Sequence, residues 1–214
     1  MLRKLSFLLV VMGVLVWTNP LQADDWRNWS DISVSGKINA DWGWKVAAEA
    51  RFSDNVSDYN YTHFDMIVSY KVLPWLGISP SYRHIITESG TDWNTEKRPQ
   101  LDINLSRKVG EMQWSDRNRF EFRFRDSGES VRYRNKLTVK IPRLQLWQLQ
   151  PYLADEIFYD LEAEVLNKNR IYAGVNIPVL ANLQVEVGYV RESSKILDDW
   201  NGVNVLWTAL KYSY

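Results

Sequence analysis

The chain has 214 residues, enough for one barrel or one ordinary domain, with 26 basic against 26 acidic residues. It has no cysteine, which excludes a disulfide framework and thiolate metal sites, and its balanced charge gives no sign of nucleic-acid binding. Eleven tryptophans, eleven tyrosines and seven phenylalanines are many for this length. Mean hydropathy is slightly negative. That argues against a helical membrane protein but suits strands with one polar face.

The N-terminus reads as a signal peptide over residues 1–23. Arg3 and Lys4 form a basic start, Leu5 to Trp17 is apolar, and Leu21-Gln22-Ala23 is an acceptable cleavage site. A membrane anchor is disfavoured, because the run is shorter than the ~20 residues a span needs. No later run is apolar enough for a spanning helix, so any membrane embedding must use strands.

Residues 24–41 form an N-terminal segment in which Ile32, Val34 and Ile38 alternate with Ser33, Ser35 and Lys37, leaving open an extra strand. Residues 42–214 read as a single β-barrel. Trp42, Trp44, Val46, Ala48, Ala50 and Phe52 oppose Lys45, Glu49 and Arg51. Phe64, Met66, Val68 and Tyr70 oppose His63, Asp65 and Ser69, and Leu76, Ile78 and Tyr82 oppose Ser79, Ser81 and Arg83. A polar loop is expected over 87–97. Leu101, Ile103 and Leu105 then oppose Asp102 and Asn104.

The stretch from Arg117 to Ile141 carries the pattern most clearly. Phe120, Phe122 and Phe124 share one face, while Arg119, Glu121, Arg123 and Arg125 share the other. Past a turn at 126–129, Tyr133, Leu137 and Val139 oppose Arg132, Arg134 and Lys136. Further strands follow at about 149–156, 170–177, 183–189 and 202–214, with loops over 160–167 and 191–199 and a short connection over 142–146. The strands are longer than the soluble mode of about five or six residues. A transmembrane barrel strand needs about 9–11 residues, apolar toward lipid and polar toward the lumen.

The expected fold is therefore an all-β, antiparallel, outer-membrane β-barrel of ten strands, with twelve as the alternative. Eleven would place the mature N-terminus on the outer side. Trp42, Trp44, Trp75, Trp114, Trp147, Tyr212 and Tyr214 lie beside the shorter connections or the C-terminus and read as one membrane girdle. Tyr59, Tyr61, Trp93, Tyr159, Tyr189 and Trp200 form a looser second one.

The Trp-rich start, Glu49-x-Arg51, Asn118-Arg119, Arg132-Tyr133-Arg134-Asn135-Lys136, Pro151-Tyr152 with Glu156, and Asn169-Arg170 with Gly174 resemble the bacterial family catalogued as domain of unknown function 2490. The resemblance runs from about Trp29 to Tyr214. It implies an outer-membrane barrel without an established activity. Leu206, Leu210, Tyr212 and Tyr214 resemble the C-terminal assembly signal of such barrels, with Thr208 at one apolar position. This implies recognition by the barrel-assembly machinery. The expected setting is the bacterial outer membrane, with its lipid and lipopolysaccharide as neighbours and the protein as a monomer.

Glu49, Arg51, Arg83, Arg119, Glu121, Arg123, Arg125, Arg132, Arg134, Glu156 and Arg170 would converge in the lumen. Unpaired buried charges are costly, so these groups should pair. They read either as a salt-bridge plug or as the lining of a narrow, anion-preferring pore. A lipid-modifying enzyme is the weaker alternative. Only His63 and His84 are available, and Ser69 lies about 20 Å from His63 along an extended strand. A soluble, lipocalin-like barrel would need Phe120, Phe122 and Phe124 in its core. No catalytic residue, cofactor or metal is expected.

Overall fold

The computed structural model describes residues 26–197 and 199–214. The expected signal peptide lies outside the described residues. The chain forms a closed barrel of eleven strands. These are β1 (Trp26–Lys37), β2 (Trp42–Ser53), β3 (Asp58–Leu73), β4 (Leu76–Ser89), β5 (Asp92–Val109), β6 (Met112–Arg125), β7 (Gly128–Lys140), β8 (Gln150–Asp160), β9 (Val165–Leu180), β10 (Leu183–Ile196) and β11 (Asp199–Ser213). No helix among the described residues is long and apolar enough to cross a membrane, which says nothing of strands.

The count is eleven, neither ten nor twelve. The 24–41 segment supplies a full strand, β1, whose Trp29 and Ser33 are buried in the lumen. Every consecutive pair is antiparallel, so an odd count forces the first and last strands to run the same way. β1 and β11 close the barrel in parallel, with Trp29 opposite Trp207 and Ile32 opposite Leu210. Parallel pairing is slightly weaker per residue than antiparallel, and Ser30 Oγ and Thr208 Oγ add a contact of 3.0 Å across this seam.

The strands tilt. Paired residues followed round the wall pass from Ser35 near the end of β1 through Lys45, Ile67, Ser81, Gln100, Glu121 and Arg132 to Asp160 at the end of β8. The stagger over a full circuit is about 14 residues, as closure of a tilted barrel requires.

The long loops expected over 87–97 and 191–199 are not present. The 87–97 segment is strand on both sides of a two-residue turn, where Gly90 takes φ 67. The 191–199 segment is likewise mostly strand. Beyond the apolar belt both faces of these hairpins are polar, so the alternation that marks a strand disappears from the sequence while backbone pairing continues. The 142–146 connection belongs to the longest link, residues 141–149, which contains a single 3₁₀ turn at Leu146–Gln148.

Side-chain direction follows the sequence pattern closely. Phe64, Met66, Phe122, Phe124, Leu206 and Leu210 are exposed on the outer wall, Met66 at 67%. Glu121 and Glu156 are fully buried inside. The interior also holds an apolar cluster of Trp29, Tyr152, Ala154, Tyr172, Val190 and Val205, drawn from β1 and β8–β11. Ion pairs fill the space against the remaining strands.

Candidate functional site

The lumen is built by strand alternation, which sends every second side chain of each strand inward. On β6 and β7 this gives Arg117, Arg119, Glu121 and Arg123 beside Arg132, Arg134 and Lys136. The antiparallel register sets Glu121 opposite Arg132 and Arg119 opposite Arg134. Glu121 accepts from Arg132 Nε at 2.8 Å and from Arg134 Nη1 at 2.6 Å. Arg134 Nη2 reaches Glu156 at 2.7 Å, so one guanidinium bridges two buried carboxylates. Glu156 also accepts from Arg117 at 2.7 Å and from the Tyr172 hydroxyl at 2.7 Å.

Around this centre stand further pairs. Arg119 grips Asp102 with two bonds of 2.6 and 2.8 Å, and Arg83 grips Asp65 with two of 2.7 Å. Such fork-to-fork geometry is the strongest form of an Arg–carboxylate pair. Arg123 and Arg98 share Glu96, at 2.9 and 2.7 Å. Arg170 and Lys168 share Glu192, at 2.6 and 3.0 Å. Arg51 donates to Glu49 at 2.6 Å, and Arg125 donates to the Ser130 hydroxyl at 2.9 Å.

The aromatic side chains are part of the same packing. The Arg51 guanidinium lies between Trp29 and Tyr61, 4.1 and 4.2 Å from their ring centroids. Phe158, buried on β8, has Arg134 at 4.4 Å, Arg170 at 4.8 Å and Arg132 at 5.2 Å. Cation–π attraction thus supplements the carboxylates where there are fewer of them than arginines.

All eleven lumen residues expected from sequence face inward, and ten of them join carboxylate–arginine pairs; Arg125 is bonded to Ser130 instead. Tyr61 is a correction, because it faces the lumen rather than the second girdle. Glu96 and Glu192, which the sequence places in loops, are buried acids of the network. Phe158, Val190, Val205 and Trp29 were missed as lumen packing, since an inward apolar residue leaves no mark in a pattern read as polar-inward.

Of the aromatic residues expected in the first girdle, Trp42, Trp75, Trp114, Tyr212 and Tyr214 are exposed at the same end of the barrel. Trp44 is partly covered and packs over Gly36, its indole within 2.8 Å of where a Cβ would stand. Trp147 lies in the 3₁₀ turn, 76% exposed, rather than on a strand. Leu206 and Leu210 sit outward on β11 and form a row with Tyr212.

The outer wall carries a polar patch on β6–β9. Asn135 and Asn118 donate to Asp116 at 2.5 and 3.2 Å, the Tyr133 hydroxyl donates to Asn118 at 2.5 Å, and Asn169 donates to Asp155 at 2.6 Å. These groups satisfy one another.

His63 is buried between Glu49 and Asp65, 3.6 and 3.5 Å away, and no hydroxyl is bonded to it among the described residues. No group of three or more His, Asp or Glu among the described residues is arranged to hold a metal. No curated protein and no solved structure matches the chain significantly. The family model described as "Protein of unknown function (DUF2490)" matches residues 26–202, and the chain belongs to that family.

Proposed function

We propose that this protein is an integral barrel of the bacterial outer membrane whose lumen is closed to through-flow by its ion pairs. One observation carries the reading: the chain is inverted relative to a water-soluble fold. Large apolar side chains such as Phe64, Met66, Phe122 and Leu206 are exposed around the outside, while Glu121 and Glu156 have no solvent contact. Soluble monomers rarely expose a contiguous apolar patch above a few hundred Å². A lipid-facing wall accounts for it. The soluble, lipocalin-like alternative needs the phenylalanines of β6 in a core, and they stand on the outer wall.

The exposed Trp42, Trp75, Trp114 and Tyr212 suit a membrane interface at the end that carries the C-terminus. That end faces the periplasm in this reading, and the hairpins β4–β5 and β10–β11 project on the outer side. Lipid and lipopolysaccharide surround the wall, and the outward row of Leu206, Leu210, Tyr212 and Tyr214 meets the assembly machinery during insertion. The mutually bonded Asp116 patch is tolerable in lipid because its polar groups are already paired.

Two measurements test this. Unboiled, detergent-extracted protein should migrate differently from boiled protein on a gel; full solubility in buffer with no shift would overturn the membrane assignment. In planar bilayers the folded barrel should be silent. Stable, anion-selective steps would instead establish the narrow pore and remove the closed lumen.

A further inference from the structure

Not all of the lumen is filled. A partly open cavity of about 230 Å³ remains inside the barrel. Its walls include Lys45, Arg117, Arg134, Lys136, Tyr172 and Lys211. It is smaller than the roughly 300 Å³ at which pockets for drug-sized ligands begin.

The cavity is lined by nine Lys and Arg side chains against five acids, Asp31, Glu49, Asp65, Glu156 and Glu186. Neither Lys45 nor Lys136 has a carboxylate oxygen within 4.0 Å among the described residues, although the arginines around them are paired. Lys136 Nζ instead sits 3.5 Å from the Tyr172 ring centroid. Every buried side-chain atom left without a partner among the described residues is a nitrogen, and two of these, Arg117 Nε and Arg134 Nε, are donors on residues lining the cavity. Arg134 is 6% exposed. The acids present are largely engaged: Glu156 holds Arg134, Arg117 and Tyr172, and Glu186 accepts from Lys211, Tyr152 and Trp207. Asp31, also on the wall, is the one lining acid whose side chain has no hydrogen bond or ion pair within 4.0 Å among the described residues, so the cations outnumber the free acceptors without excluding them. A surplus of donors with a shortage of acceptors is the complement of an acceptor-only guest.

The cavity borders a depression at each end of the barrel, sharing two lining residues with each. Lys45 and Lys211 also line a depression among the turns at the C-terminal end, together with Ser33, Ser35, Arg143 and Asn182. At the opposite end a separate depression shares only Trp29 and Arg51 with the cavity. Those two residues are stacked on each other. A basic mouth leading into a low-dielectric chamber concentrates anions.

We propose that the lumen is a blind chamber that binds a small oxyanion of the phosphate class, held by Lys45, Lys136 and Arg117 and entering from the C-terminal end. The site rests on the closed-lumen reading for its blind end, and on the periplasmic orientation only for the side from which the anion comes. It does not require the barrel to lie in a bilayer, so it is testable in detergent micelles.

The experiment is titration calorimetry of the refolded mature protein with inorganic phosphate. Saturable binding of one phosphate per barrel is expected. Lys45→Met with Lys136→Met should weaken it at least tenfold, whereas Lys97→Met, an exposed outer-wall change, should leave it unchanged. Ser35→Asp places a negative charge at the mouth without removing a cation, and it should also weaken binding if the double variant fails to fold. Absence of saturable binding to the folded wild-type barrel, or equal binding by a folded double or Ser35 variant, would overturn the proposal. A missing heat shift would sink the membrane reading and leave the binding result standing.

Discussion

Arg134 on β7 donates to Glu156 on β8 at 2.7 Å, and the two side chains are among the least accessible in the barrel. A pair of this kind contributes little net stability relative to an apolar pair of the same volume, because both ions had to leave water. Its physical weight lies in the penalty for breaking it. Glu156 gathers Arg117, Arg134 and Tyr172 around one carboxylate, so its loss leaves several groups unpaired at once.

Glu156→Gln should therefore destabilise the barrel by about 3–5 kcal/mol, the usual cost of stranding buried charge. Glu162→Gln, in the exposed turn after β8, should stay within about 0.5 kcal/mol. Urea midpoints of the refolded proteins check both. Equal midpoints would mean that the Glu156 cluster carries no structural load.

Met66 is 67% exposed on the outer wall of β3. If that wall faces hydrocarbon, Met66→Lys should cost about 2–4 kcal/mol in lipid vesicles, the price of a cation near the midplane. If it faces water, the same change should lie within about 0.5 kcal/mol. Unfolding in vesicles separates the two outcomes without knowledge of any activity.

Gly174 on β9 lies under Tyr152, whose ring and hydroxyl come within 2.7 Å of where a Cβ would stand. The Tyr152 hydroxyl donates to Glu186. Gly174→Ala should push the ring off this acid and cost about 1–3 kcal/mol, as overpacking does. A structure of the variant should show the Tyr152–Glu186 bond broken, and an unmoved ring would contradict this.

β1 closes the barrel between β2 and β11. Deletion of residues 26–37 exposes two strand edges and removes Trp29 from the apolar cluster. The shortened chain should lose the compact, heat-modifiable form. A stable ten-stranded product would show that the parallel seam is dispensable.

The sequence by itself determined which residues face which side. Strict alternation in β2, β3, β6 and β7 assigns Phe64 and Phe122 to one face and Glu49 and Arg134 to the other, because a strand turns its side chains by half a circle per residue. It also marked the aromatic end formed by Trp42, Trp75, Trp114 and Tyr212. Only the tertiary structure decided the strand count, the seam and the pairing. Whether β1 belongs to the wall depends on a partner almost 180 residues away, Trp29 opposite Trp207, and no local pattern reports that. The acids Glu96 and Glu192 were unreadable for a related reason. They lie where both faces of the hairpins are polar, so the strands that carry them are not marked there, although simple hairpin pairing sets Glu192 opposite Arg170 and Glu96 beside Arg123. Charge balance at a point in the lumen depends on strands distant in sequence, so the unpaired Lys45 and Lys136 become visible only once the barrel has closed.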